Sequence, residues 1–110
     1  MPITFAVIGE VIYTAVDAKP KRTRALRRLA NVAANPQVAI LVDHYERDWG
    51  RLWWVRADGR ARILDAGEGE ARGALEALAA RYVPYRAAPP PGPVLAVDVA
   101  RWVSWSAAAP

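Results

Sequence analysis

The chain has 110 residues, 54% of them hydrophobic, with a net charge of +4, one histidine and no cysteine. That is the length of one domain with a small core, too apolar to be disordered, and without an apolar run near the roughly 20 residues that span a bilayer. The cysteine and histidine counts exclude a disulfide framework and thiolate chemistry and argue against a structural zinc site; no signal peptide opens the chain, so a cytoplasmic protein is expected.

Ile3 to Ile8 and Val11 to Val16 are β-prone runs separated by Gly9-Glu10. A two-residue link with glycine first predicts a type II′ hairpin. A helix is expected from about Pro20, which a first turn tolerates. Leu26, Leu29, Ala30 and Ala33 recur at helical spacing and define its apolar face. Asn35-Pro36 ends it, because the residue before proline is pushed out of the α region. Val38 to Val42 is a near-continuous apolar run and reads as a central strand. Asp43 to Gly50 is polar and reads as a loop. Arg51 to Ala57 and Arg60 to Leu64 flank Asp58-Gly59, a type I′ hairpin signal. A second helix is expected over Gly67 to Tyr82, with Leu75, Leu78, Ala79 and Tyr82 on one face. Pro84 to Pro93 holds a proline-rich run that reads as a stiff extended connector, and Val94 to Trp105 returns to strand. The fold expected is mainly β with two helices, an antiparallel barrel packed against its helices. Trp53 and Trp54 must point to opposite faces of a strand. One can enter the core and the other needs a ligand or a second subunit, which makes a homodimer the natural answer.

Charge is unevenly placed. Lys19, Lys21, Arg22, Arg24, Arg27 and Arg28 put six cations in ten residues without an acid. Such a block suits an anionic partner, with a solvated helix face as the alternative. At a strand end and a helix start, Thr14, Lys19, Lys21, Arg22 and Thr23 can converge on a phosphate, since helix N-termini favour anions. The block contains no aromatic, so a nucleic-acid base has nothing to stack on. No nucleophile–base pair is visible: His44 beside Asp43 reads as a surface residue, and Ser104 and Ser106 lack a nucleophile elbow. No catalytic side chain is therefore assigned, and an organic cofactor is expected to carry the chemistry. Trp53-Trp54-Val55-Arg56 suits a flat ring with an anionic edge, the aromatics forming a wall and Arg56 a donor.

Tyr13-Thr14, the Lys19/Lys21/Arg22 cluster, Asn35-Pro36-Gln37-Val38-Ala39-Ile40-Leu41 and Trp54-Val55-Arg56-Ala57-Asp58-Gly59-Arg60-Ala61 resemble, in order, the pyridoxamine 5′-phosphate oxidase-like split β-barrel flavoproteins. The longer string Tyr13 to Lys21, with Leu41-Val42-Asp43-His44-Tyr45 and Leu52 to Gly59, is similar to an actinobacterial subgroup of coenzyme F420-dependent oxidoreductases. The resemblance implies a split antiparallel β-barrel over residues 1–110, a homodimer, and cofactor sites at the subunit interface. It implies that Thr14, Lys19 and Lys21 hold the cofactor phosphate with Arg22 and Thr23 beside them. Trp54, Val55 and Arg56 then line the ring, while Trp102 and Trp105 lie on a closing strand near cofactor or seam. It further implies hydride transfer between F420, a deazaflavin, and a small organic substrate. FMN on the same fold and a non-catalytic cofactor-binding protein are the alternatives. Family members carry a helix and strand before the segment equivalent to Pro2-Ile3-Thr4-Phe5, so the chain is expected to lack them. It is likewise expected to lack the C-terminal substrate segment of true pyridoxamine phosphate oxidases, so vitamin B6 oxidation is not expected.

Overall fold

The computed structural model describes residues 3–15, 22–65, 67–90 and 93–107, without the side chains of 22–26. Within them, strands β1 (Ala6–Ile8), β2 (Val11–Ala15), β3 (Gln37–His44), β4 (Trp53–Leu64) and β5 (Val94–Ser106) form one sheet, joined by helices α1 (Arg22–Ala34), α2 (Gly69–Arg81) and the single turn α3 (Pro84–Ala87). The sheet is antiparallel throughout, in the order β1-β2-β5-β4-β3. The mainly-β class and its two principal helices are as expected.

The first hairpin follows its turn chemistry. Gly9 has φ +61° and no other described residue has positive φ, the sign pattern of a type II′ turn. The second expected hairpin does not form. Trp53–Leu64 is one uninterrupted twelve-residue strand that crosses Asp58-Gly59. Glycine is there for closeness to a neighbour: a Cβ on Gly59 would lie 2.4 Å from the Asp98 carbonyl oxygen and 2.9 Å from Val97 Cγ1. Opposite it, β5 carries a bulge. Asp58 pairs with Arg101 and Gly59 with Val99, which leaves Ala100 without a partner on β4. The Glu10 carbonyl accepts the Val99 N–H at 3.0 Å, and the Glu10 carboxylate accepts from Trp102 Nε1 at 2.9 Å, so the first turn grips the bulged stretch.

Two further expectations are corrected. Val38–Val42 lies in an edge strand, β3, with Leu41 62% exposed, while β5 holds the centre. Apolar residues outnumber what one buried face needs, and a continuous apolar run by itself does not distinguish centre from edge. The segment after α2 is not all extended. Pro84 opens the one-turn helix α3, as its fixed φ permits. Arg86 then reaches back from α3 to the Ala79 and Ala80 carbonyls at 3.0 Å each, pairing orphan acceptors at the end of α2.

Strand alternation gives the sheet two distinct faces. One carries Ile12, Ala57, Ala61, Leu95 and Val97 against α1. The apolar stripe of α1 is Leu29 and Val32. Ala30 and Ala33, expected on that stripe, are exposed, and Leu26 has no described side chain. The other face packs Tyr13, Leu64, Val94 and Ala96 against Ala71 and Ala74 of α2, while Leu78 meets Ala6 and Ala15. Alanines let α2 lie close to the sheet.

A polar clamp fastens α2 at its first turn. Arg62 on β4 donates to Asp98 at 2.6 and 3.0 Å and to Glu70 at 2.9 and 3.1 Å, and Tyr13 donates to Glu70 at 2.8 Å. The Arg62 guanidinium, then the Tyr13 hydroxyl, hold the Glu70 carboxyl below its ordinary value. A depressed folded-state value means stability that is fully present above the ordinary carboxylate range and lost as pH falls through the folded value. Glu70 is 39% exposed, so solvent screening limits the effect to about 1 kcal/mol or less. The difference in unfolding free energy between the native chain and Glu70→Gln is expected to be measurable at pH 7 and to shrink toward zero as pH falls below 4. A gap independent of pH, in urea titrations at both values, would contradict the clamp.

Candidate functional site

Beyond Ala57 the sheet runs out from under both helices. Across β3, β4 and β5 its rows read Ile40–Ala57–Trp102, Leu41–Arg56–Val103, Val42–Val55–Ser104, Asp43–Trp54–Trp105 and His44–Trp53–Ser106. Alternate rows share a face. Leu41, Arg56, Val103, Trp54 and Trp105 therefore stand on the α2 side, and Trp102, Val55, Trp53 and His44 on the α1 side. Trp102, Trp105 and Trp53 are 46%, 48% and 39% exposed, and Trp54 is half-buried. The expectation that one of Trp53 and Trp54 enters the core is not met, because the buried part of β4 starts only at Ala57. The result is a two-sided aromatic paddle projecting from a packed body.

Each side has its own polar chemistry. On the α2 side, Arg56 pairs with Asp58 two residues on, Nη2 donating to Oδ2 at 3.2 Å. Arg56 Nε lies 3.0 Å from Asp58 Oδ1 but off the hydrogen-bonding direction, and this buried N–H has no acceptor. On the α1 side, the His44 ring stacks on Trp53 at 5.8 Å between centroids and 15° between planes, with Nε2 against a Glu46 carboxylate oxygen. Glu46 also lies 3.6 Å from Arg51 Nε. His44 is thus held by a carboxylate and an aromatic face, at the surface as expected. Among the described residues no three His, Asp or Glu side chains converge as metal ligands.

On the α1 side, an open cavity of about 740 Å³ extends from the Thr14 end of the sheet to the paddle rows of β3. Ile3, Phe5, Val32, Ile40, Leu95 and Val97 make most of its wall. Thr14 and Arg28 contribute polar groups, and every residue from Val38 to Asp43 along the free edge of β3 borders it. Thr14 is buried, 6% exposed.

The expected site residues accordingly fall into separate groups. Trp54 and Arg56 share a face and adjoin through the strand. Val55 lies between them in sequence but on the opposite face. Thr14 pairs with Leu95, which pairs with Ile63, nine residues along β4 from Trp54. Measured along the strand that is about 30 Å, and Trp54 and Arg56 face the α2 side whereas Thr14 borders the cavity on the α1 side, so a ring stacked on Trp54 does not touch Thr14 of the same chain. Arg22 and Thr23 open the described part of α1, with side chains outside the described residues; Lys19 and Lys21 lie outside them altogether. Arg28, part of the cationic block but not among the expected site residues, borders the cavity. Its spacing of four from Val32 is the signal that pairs it with the buried stripe.

The chain belongs to the pyridoxamine 5′-phosphate oxidase family, whose sequence pattern matches residues 2–106. Solved structures share the fold at low identity. A conserved hypothetical protein of Mycobacterium tuberculosis, Rv2991, is 22% identical with a TM-score of 0.63, covering 94% of this chain and 65% of its own. An FAD-binding protein of Mesorhizobium loti is 18% identical with a TM-score of 0.68, over 94% of this chain and 73% of its own. A heme-binding protein of Mycobacterium smegmatis is 17% identical with a TM-score of 0.62, over 96% and 46%. This chain therefore spans less than two thirds of the first and third of these. No curated protein matches it in sequence.

Proposed function

We propose that the protein is a homodimeric oxidoreductase that holds a flavin-type ring at its subunit interface, coenzyme F420 in preference to FMN, and passes hydride to or from a small organic substrate. The carrying observation is the separation of the expected contacts. A ring seated beside Trp54 and Arg56 of one subunit meets the Thr14 end of the sheet only if that end comes from a second copy. The exposed paddle supplies a surface for such a copy, with Trp53, Trp102 and Trp105 39%, 46% and 48% exposed. The Arg56 guanidinium, ion-paired with Asp58 but with its Nε–H lacking an aligned acceptor, fits an electron-rich ring edge. The family assignment and the Mesorhizobium loti FAD-binding neighbour favour a flavin-type ring. F420 is favoured over FMN by the cationic block ahead of Arg28, since its phosphate and oligoglutamate tail carry more negative charge.

When bound, the ring supplies the hydride acceptor and donor. The chain's own part is to orient it with the aromatic side chains of β4 and β5 and to exclude water between subunits. No side chain is required as acid or base. A heme, as in the Mycobacterium smegmatis neighbour, is less suited, because the one histidine already engages Glu46 and Trp53 at the open end of the sheet. Two measurements test the proposal together. Light scattering at micromolar concentration is expected to give twice the chain mass, and fluorescence titration is expected to show saturable binding of F420, with FMN weaker. A monomer, or a dimer that takes up neither compound, would refute it.

A further inference from the structure

Arg27 and Arg28 are adjacent in the cationic block but have different surroundings. A helical step of about 100° turns Arg28 toward the sheet while Arg27 stays in water. Arg28 Nε is shut off from solvent and, among the described residues, has no acceptor. A guanidinium cannot shed its proton to relieve that cost, so an unpaired buried N–H there marks a place where an acceptor is missing. The Arg28 side chain also borders open space. Between the second half of α1 and the start of β3 runs a cleft of about 550 Å³, on whose wall stand Arg27, Arg28, Asn31, Asn35 and Gln37. No acidic residue lines it. Asn35 Oδ1 already accepts the Gln37 backbone N–H at 3.2 Å, which leaves the Asn35 amide NH₂ for an acceptor.

Two guanidinium groups and three carboxamides border a space whose wall is otherwise apolar, with Val32 and Val38 in it, and no carboxylate competes for those donors among the described residues. We infer that the α1–β3 cleft is an oxyanion subsite, in which a carboxylate or phosphate group pairs with the Arg28 guanidinium, whose Nε–H is unsatisfied in its absence, while Asn31, Asn35 and Gln37 supply neutral donors. Planar forked donation is what distinguishes arginine from lysine at such sites. The subsite is separate from the ring-binding face at the paddle. It would receive an anionic group of a ligand whether or not that ligand is a flavin. Arg28 also borders the larger apolar cavity, so an anion drawn into the cleft lies beside space for an apolar portion of the same molecule.

The test is an NMR titration of the full chain with inorganic phosphate and, separately, with tetraglutamate. The signals followed are the Arg28 Nε–H and the side-chain NH₂ groups of Asn31, Asn35 and Gln37. Saturable shifts in these signals are expected with at least one probe; phosphate alone identifies a phosphate subsite and tetraglutamate alone a carboxylate subsite. Arg28→Met is expected to weaken that binding about tenfold or more, and Arg27→Met by less than about threefold. Arg28→Lys keeps the charge without the fork and serves if Arg28→Met fails to fold; it is expected to recover only part of the affinity. No response to either probe, or equal losses at Arg27, Arg28 and the remote Arg72, would overturn the inference as diffuse electrostatics. If phosphate or tetraglutamate binds while F420 and FMN do not, the ring-binding proposal fails and the subsite stands.

Discussion

Gly59→Val is expected to cost more than about 3 kcal/mol of stability, a large share of the roughly 5–15 kcal/mol that holds a domain of this size together. The new Cβ would sit 2.4 Å from the Asp98 carbonyl oxygen, and that oxygen belongs to the neighbouring strand at the centre of the sheet. A flexible side chain can swing aside, but a ladder carbonyl moves only with its strand. The strand concerned carries the Arg62 clamp at Asp98 and the bulge two residues further on. Thermal denaturation should register a drop of at least about 12 °C. Gly73→Ala in α2 is the matched control: its Cβ would meet nothing within 4 Å, and removing a helical glycine should gain about 0.5–1 kcal/mol. A Gly59→Val protein that melts with the native one would mean that β4 and β5 are not in this register.

Trp105→Asp is expected to leave the fold intact and to abolish both self-association and cofactor uptake. Trp105 is half-exposed and pairs with Trp54 across the outer row of the paddle, so the isolated chain loses little packing when it is replaced. At an interface the same residue would be a central aromatic anchor, and truncating such anchors costs 2 kcal/mol or more, roughly a thirtyfold loss of affinity. A carboxylate in its place adds the expense of burying an unpaired charge. Light scattering should then report the monomer mass, and the F420 titration should lose its saturable phase. Unchanged mass and affinity, with the circular dichroism of the native chain, would remove the paddle from the proposed interface.

Local chemistry made much of the fold legible before the structure. Gly9-Glu10 carried its turn in the backbone freedom of one glycine, and Asn35-Pro36 stopped α1 at Ala34 because proline restricts the residue before it. The spacing of Leu75, Leu78 and Tyr82 located α2. The misreadings share a different cause: they concern what one strand meets on another. Asp58-Gly59 has the composition of a tight turn, yet Gly59 is small because Asp98, thirty-nine residues away, lies against it, and no local window contains that contact. Val38 to Val42 is apolar enough for a centre, but sheet order is settled by which strands find partners. The aromatic strand Trp53 to Arg56 was recognisable as a ring-binding candidate from its residues alone. That Val55 turns away from Trp54 and Arg56 follows from strand alternation, whereas the distance to Thr14 emerges only from the register. The orphaned donor on Arg28 depends on where β3 lies against α1, so nothing in the run of charges distinguished it from Arg27.

The extra residue at Ala100 has a consequence for how this sheet can change over time. Up to Val99, the odd-numbered residues of β5 lie on the α1 side; past the bulge, the even-numbered ones do, which puts Trp102 there and Trp105 opposite. Side-chain direction has a period of two, so an inserted residue that stayed in the ladder would exchange inside for outside in everything that follows, and a bulge takes it out of the count. Deleting Ala100 would leave both halves of β5 facing as they do, because Val99 and Arg101 already pair with neighbouring residues of β4; ironing out the bulge with Ala100 retained is what would transpose the two tryptophans. The bulge is thus a parity buffer, through which one residue can enter or leave the strand while both its core and its far end keep their faces.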